Sequence, residues 1–191
     1  MFARLLSLLV LFTAFAVYGQ PQTTSYARGF GQESVYGRVI GITDGDTIRV
    51  LTTANQQIRV RIAFCDAPEK GQAFGQRAKQ AMSELVFGKD VELRPHTIDR
   101  YGRLVARVFV KGQDAGLELL KQGLCWVYDR YLPEASPDIQ TSYTNAQSAA
   151  QSDRLGLWRD PDPVPPWKWR KEKRVSLIQG FSQRSNRASR R

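Results

Sequence analysis

Apolar positions alternate from Val35 to Ile42, with Tyr36, Ile40 and Ile42 on one face of an extended run and Val35 and Val39 on the other. Asp44-Gly45-Asp46 then leads into a second β-rich run, Thr47 to Leu51. Asp-Gly between two such runs is a hairpin signal, because glycine reaches the positive φ that the turn needs. Ala54-Asn55-Gln56 makes the next turn, before a third strand from Gln57 to Phe64. The period then changes: Phe74, Ala78, Ala81, Met82, Leu85 and Val86 recur at three and four, which predicts an amphipathic helix ending near Gly88. Strands follow from Asp90 to Arg94 and from Leu104 to Val110. A second helix is predicted from about Asp114 to Gln122, stopped by Gly123, and Cys125 to Tyr128 reads as extended. A polar helix runs from an N-cap at Ser136, followed by Pro137, to Arg154, with Tyr143, Ala146, Ala149 and Ala150 inward and Gly156-Leu157-Trp158 packing its end.

Five strands with a helix between the third and fourth predict an α+β domain, a five-stranded, partly open β-barrel of the OB type closed at its base by about three helices. The 191 residues, 42% hydrophobic, suffice for one core. Residues 1–19 read as a signal peptide: Arg4, then an apolar run from Leu5 to Val17 and a small-residue exit. That run is shorter than the roughly 20 residues that span a bilayer, so a cleaved signal is favoured over an uncleaved anchor. Export then places the protein in the periplasm or outside the cell. Residues 20–34 are a polar linker, 35–160 the domain, and 161–191 a Pro-rich and then basic tail expected to be flexible. From Lys168 to Arg191 nine basic residues face only Glu172, so this segment carries +8 of the formal +10 and leaves the domain nearly neutral. The tail reads either as a polyanion-seeking arm or as a solubilising segment.

The stretch Arg61-Ile62-Ala63-Phe64-Cys65-Asp66-Ala67-Pro68-Glu69 sets a guanidinium and two carboxylates where a strand breaks into a loop, with Pro68 stiffening the backbone between the acids. Taken singly these residues have plain explanations. Asp44 and Asp46 suit a turn, Arg61 could pair structurally with Asp66 or Glu69, and Arg103 could be a surface charge. His96, the single histidine, lies at a strand end outside every motif and reads as structural or exposed. Cys65 and Cys125 are too few for a sulfur zinc site; an exported protein can close them into a disulfide, the alternative being two small buried hydrophobes.

In order and spacing, Asp44-Gly45-Asp46-Thr47, Arg61, Asp66-Ala67-Pro68-Glu69, Asp99-Arg100-Tyr101-Gly102-Arg103, Gln122-Gly123-Leu124 and Gly156-Leu157-Trp158 resemble the staphylococcal nuclease (thermonuclease) family over about Tyr36 to Trp158. The resemblance implies that Asp46, Asp66 and the backbone carbonyl of Ala67 hold Ca²⁺, and that Glu69 is the general base. It implies that Arg61 and Arg103 bind phosphate, Tyr101 neighbours it, and Trp126 and Tyr128 line the nucleotide pocket. Ala67 stands where the family often has Thr, and Trp126 where it has Tyr. In that fold the strand end before Asp66 lies beside the segment around Cys125, which makes a Cys65–Cys125 disulfide plausible.

The residue types suit this chemistry. Hard Ca²⁺ takes oxygen ligands, and planar guanidinium groups hold two phosphate oxygens at once. The expectation is an exported, monomeric, Ca²⁺-dependent phosphodiester hydrolase acting on DNA and RNA with little sequence preference, leaving 3′-phosphate ends, with no membrane insertion after signal cleavage. The rival is a non-catalytic OB-type module that holds single-stranded nucleic acid by stacking and basic residues. Asp46, Asp66 and Glu69 weigh against it, since carboxylates repel phosphate.

Overall fold

The computed structural model describes residues 33–176, so the signal-peptide reading, most of the linker and residues 177–191 lie outside it. The first hairpin joins β1 (Val35–Ile42) to β2 (Thr47–Thr52) through the Asp44-Gly45-Asp46 turn, and β3 (Gln57–Ile62) pairs antiparallel with β2. β5 (Asp90–Ile98) pairs with β1, and β6 (Leu104–Val110) with β5. A parallel pairing of β3 with β6 closes the barrel, with Val60, Arg61 and Ile62 opposite Leu104, Val105 and Ala106. The alternating apolar runs supply its interior, where Val39, Ile48, Val50, Val60, Ile62, Leu93 and Val105 are buried.

Outside the barrel, β4 (Cys65–Asp66) pairs antiparallel with β8 (Trp126–Val127), and β7 (Gln113–Asp114) caps the edge of β6. A disulfide joins Cys65 to Cys125 across that ribbon, with Cα atoms 5.9 Å apart. The first three helices are α1 (Gly75–Val86), α2 (Ala115–Lys121) and α3 (Pro137–Ser152). Asp114 caps α2 by accepting from the backbone N–H groups of Gly116 and Leu117. It also accepts from the hydroxyl of fully buried Tyr143 at 2.8 Å, tying α3 to the barrel edge.

Several local expectations differ from what forms. β5 continues past Arg94 to Ile98 because a register shift between Pro95 and Thr97 accommodates a residue that has no N–H to donate. In β1 the inward face is that of Gly37, Val39 and Gly41, which leaves Tyr36 exposed. Ser136 occupies the N-cap position of α3, but its side chain makes no capping bond. The largest departure is at the C-terminal end. The tail expected to be a flexible arm is instead helical over residues 166–176 (α4) and packs against the rest of the molecule. Trp167 and Trp169 supply the apolar contact that a purely charged segment would have lacked.

Candidate active site

The barrel register brings the chemistry together. Thr47 on β2 stands opposite Arg61 on β3, and the Ile62 N–H donates to the Asp46 carbonyl at 2.8 Å. Asp44 is the turn former, its carboxylate accepting from the Asp46 N–H at 3.2 Å. Asp46 instead points inward and is nearly inaccessible. Its Oδ2 accepts from the Ala67 N–H at 3.0 Å, and its Oδ1 from the Thr47 hydroxyl at 3.0 Å. Beyond the strand break, the backbone of Glu69 is held from both sides by Gln72. The Glu69 N–H donates to Gln72 Oε1 at 3.1 Å, and the Glu69 carbonyl accepts from the Gln72 N–H at 2.8 Å. Gly75 lies so close to that carbonyl that a Cβ at this position would collide with it.

Arg61 spans the two aspartates: Nη1 is 3.2 Å from Asp46 Oδ2 and Nη2 is 2.6 Å from Asp66 Oδ1. Asp66 is completely buried. Burial pushes the Asp46 carboxyl up to about 6 and the Asp44 charge adds to this, while Arg61 and the Ala67 N–H pull the other way. Burial alone would lower the Arg61 pKa, but the charges of Asp46 and Asp66 outweigh it and raise that pKa, so the guanidinium stays charged. Asp99 orients the second arginine, accepting from Arg103 Nε at 2.7 Å, while Arg103 Nη1 donates to the Thr47 hydroxyl at 3.2 Å. Burial opposes ionisation of Asp99, but the Arg103 and Tyr101 backbone N–H groups and the Arg103 guanidinium hold its pKa below the ordinary value.

These groups open on one cleft of about 500 Å³. Asp46, Arg61, Ala67, Glu69, Tyr101, Arg103 and Tyr128 line it, with Asp66 buried beneath Arg61. Seven arginines and four acids make up its charged lining, a balance that favours a polyanionic ligand. Tyr128 places its ring 5.6 Å from the Arg61 guanidinium, and exposed Tyr101 lies at the rim with Arg103 5.6 Å from its ring. Trp126, expected to line the nucleotide pocket, is not part of the cleft lining. Its ring sits 4.3 Å from Trp158 and 5.6 Å from Trp167 of α4, so it serves as a seat for that helix. His96 contacts Glu134 at 3.0 Å and packs edge-on to Phe64, away from the cleft lining.

Sequence reasoning missed the contribution of α4. Arg170 Nη2 donates to Asp66 Oδ2 at 2.7 Å, while its Nη1 donates to Glu69 Oε1 at 2.8 Å and to Asp66 Oδ1 at 3.1 Å. Arg174, one turn further, also lines the cleft. Trp167, Arg170 and Arg174 recur at three and four, a helical spacing that was legible beneath the strong charge signal of the tail.

Among the described residues no three His, Cys, Asp or Glu side chains converge as a metal cluster, although Glu69 Oε1 and Asp66 Oδ1 share one nitrogen of Arg170. The donor set of Asp46, Asp66 and main-chain oxygen is hard, without sulfur or imidazole, and suits an oxygen-seeking divalent cation in place of the guanidinium groups that hold both Asp66 oxygens here. Two buried carboxylates bridged by one guanidinium already show an arrangement built to face positive charge.

The family model "Staphylococcal nuclease homologue" matches residues 59–160, and the chain belongs to that family. An "Uncharacterized endonuclease" of Haemophilus influenzae is 38% identical over 173 residues, covering 91% of this chain and 87% of the relative. A "Micrococcal nuclease" of Shigella flexneri is 40% identical over 144 residues, 71% of this chain and 80% of the relative. "Protein ParB" of Escherichia coli is 39% identical over 145 residues, covering 71% and 79%.

Proposed function

We propose that this protein is a Ca²⁺-dependent nuclease that hydrolyses the phosphodiester bonds of DNA and RNA with little sequence preference and leaves 3′-phosphate ends. The family and the relatives named as nucleases support nuclease activity of the staphylococcal type. The observation that carries the mechanism is Arg61 bridging Asp46 and Asp66 at the floor of a cleft that Arg103 and Glu69 also line.

In this reading the substrate phosphate lies between Arg61 and Arg103, whose planar groups hold its non-bridging oxygens and neutralise the charge that grows there during attack. Glu69, about two-fifths exposed and fixed at its backbone by Gln72, accepts the proton of the attacking water. The water oxygen forms the new bond to phosphorus as the bond to the 5′ oxygen breaks, and that oxygen leaves with a proton from solvent. Asp46, Asp66 and the Ala67 carbonyl would hold the cation, which when bound supplies charge stabilisation of the phosphate and a more acidic water. Contacts that address only phosphate carry no base code, which accounts for weak sequence preference. Tyr128 and Tyr101 offer faces on which any base can stack.

Export belongs to the same proposal. The Cys65–Cys125 disulfide is what an oxidising compartment permits, and among the described residues no helix is long and apolar enough to cross a membrane. The protein would act as a monomer, and its basic terminal residues would raise affinity for nucleic acid at low salt. End analysis of a labelled oligonucleotide, as DNA and as RNA, tests the reaction. Products with 3′-phosphates from both support it, whereas 3′-hydroxyls or cleavage of neither contradict it.

A further inference from the structure

The geometry points to α4 as a strap across the active site, with Arg170 competing against the divalent cation for Asp66. This rests on the nuclease reading above and deepens it by naming what controls access to the cation site. Arg170 Nη2 stands 2.7 Å from Asp66 Oδ2, and Nη1 stands 3.1 Å from Oδ1. A hard cation lies about 2.3–2.6 Å from the oxygens that hold it, so on Oδ2 it and the nitrogen would claim nearly the same place with the same sign of charge. Oδ1 also accepts from Arg61 at 2.6 Å, and the carboxylate is wholly buried. The two arginines are not equivalent. Arg61 belongs to the barrel wall in β3, its side chain is 11% exposed, and it faces Asp46 as well as Asp66. Arg170 is 35% exposed and arrives on the last described helix, 104 residues along the chain from Asp66, so it can leave without opening the barrel.

One face of α4 meets the other working parts as well. Arg170 Nη1 donates to Glu69 Oε1 at 2.8 Å, on the carboxylate that the hydrolytic reading needs to take up a proton. Trp167, one turn before, approaches the Tyr128 ring at 6.4 Å, and Arg174, one turn after, lines the cleft. A helix that only buttressed the fold would have no reason to meet a cation ligand, the proton acceptor and a stacking face together. Its seat is light: the Trp167 ring lies 5.6 Å from that of Trp126, Trp169 shares a small cavity with Pro68 and Phe74, and Gln72 donates to the Val164 carbonyl. The competition is reciprocal, so whatever Arg170 takes from cation affinity, cation binding takes from the docking of α4. A site open in only a tenth to a hundredth of the molecules binds about 10- to 100-fold more weakly than an open one.

Calorimetric titration of Ca²⁺ into the full chain, without nucleic acid, tests this, and hydrogen exchange over residues 166–176 supplies a second readout. Arg170→Ala is expected to bind Ca²⁺ at least about tenfold more tightly than wild type. Arg170→Gln carries the same expectation if the alanine variant does not fold. Arg174→Ala, which removes the same charge from the same cleft and leaves the Asp66 fork in place, is expected to change affinity less than about threefold. Trp167→Ala, which removes no charge and only loosens the seat, is expected to tighten binding as well. Saturating the wild type with Ca²⁺ is expected to raise exchange over residues 166–176. Equal or weaker affinity in Arg170→Ala, equal gains in Arg170→Ala and Arg174→Ala, no gain in Trp167→Ala, or exchange unaltered by Ca²⁺ would overturn the strap and leave the nuclease reading standing. Absence of Ca²⁺ binding in the wild type and in every variant would remove the cation from the nuclease reading, and the strap with it.

Discussion

Arg61 Nη2 donates to Asp66 Oδ1 at 2.6 Å, a contact between a nearly buried guanidinium and a completely buried carboxylate five residues along the chain. The same arginine faces Asp46, which has no other cationic partner among the described residues, whereas Asp66 is also held by Arg170. Arg61→Ala should therefore damage stability as well as rate. Removing one partner from a buried ion pair costs about 3–5 kcal/mol, and losing a pre-aligned oxyanion donor costs about 10²-fold in kcat. Urea unfolding would measure the first, and a loss below about 1 kcal/mol would contradict it.

Burial has a second consequence at Asp46, whose pKa of about 6 lies above the ordinary 3.8. An unfolded chain ionises this carboxyl at lower pH than the folded one does. In metal-free buffer the associated stability is fully present below about pH 4 and is lost as pH rises through about 6. The full swing is about 3 kcal/mol for a shift of this size. Urea unfolding in EDTA from pH 4 to 7, on wild type and Asp46→Asn, should show the wild type losing ground to the variant as pH rises. Parallel curves would place the titration elsewhere.

The disulfide between Cys65 and Cys125 fastens the ribbon that carries Asp66 and Trp126, and its 60-residue separation makes the entropic constraint large. On the chain-entropy model its loss costs about 4 kcal/mol. The Cys65→Ala, Cys125→Ala double variant, in urea, is expected to show that loss. Destabilisation of less than about 1 kcal/mol would mean that the bridge adds nothing to the fold.

The barrel was legible because its strands are amphipathic runs separated by turn residues, and Asp44-Gly45-Asp46 marked the first turn. The reason differs from the expected one: Gly45 is not at positive φ, and a Cβ there would collide with Ala67 and Ala78. The residues gathered in the cleft were legible because the motifs sit at strand ends that the barrel must bring together, as Thr47 opposite Arg61 illustrates. Two elements were hidden. Trp126 and Tyr128 share an extended segment, yet only Tyr128 lines the cleft, because Trp167 covers Trp126, a contact that arises from a residue 41 positions away. Arg170 was read as one more charge in a basic run. Composition sums charges without regard to direction, and what distinguishes Arg170 is a helical face that turns it toward Asp66 and Glu69 while the flanking tryptophans bury themselves.

Cation-assisted hydrolysis by Glu69 and the cleft arginines is the central proposal. Digestion of plasmid DNA by wild type, Glu69→Gln and Arg103→Ala, each with Ca²⁺ and with EDTA, tests this most directly. Cleavage is expected from the wild type with Ca²⁺, falling about 10²-fold or more in either variant and vanishing with EDTA. Cleavage that persists undiminished in EDTA or in Glu69→Gln, or DNA retained uncut in every lane, would contradict it.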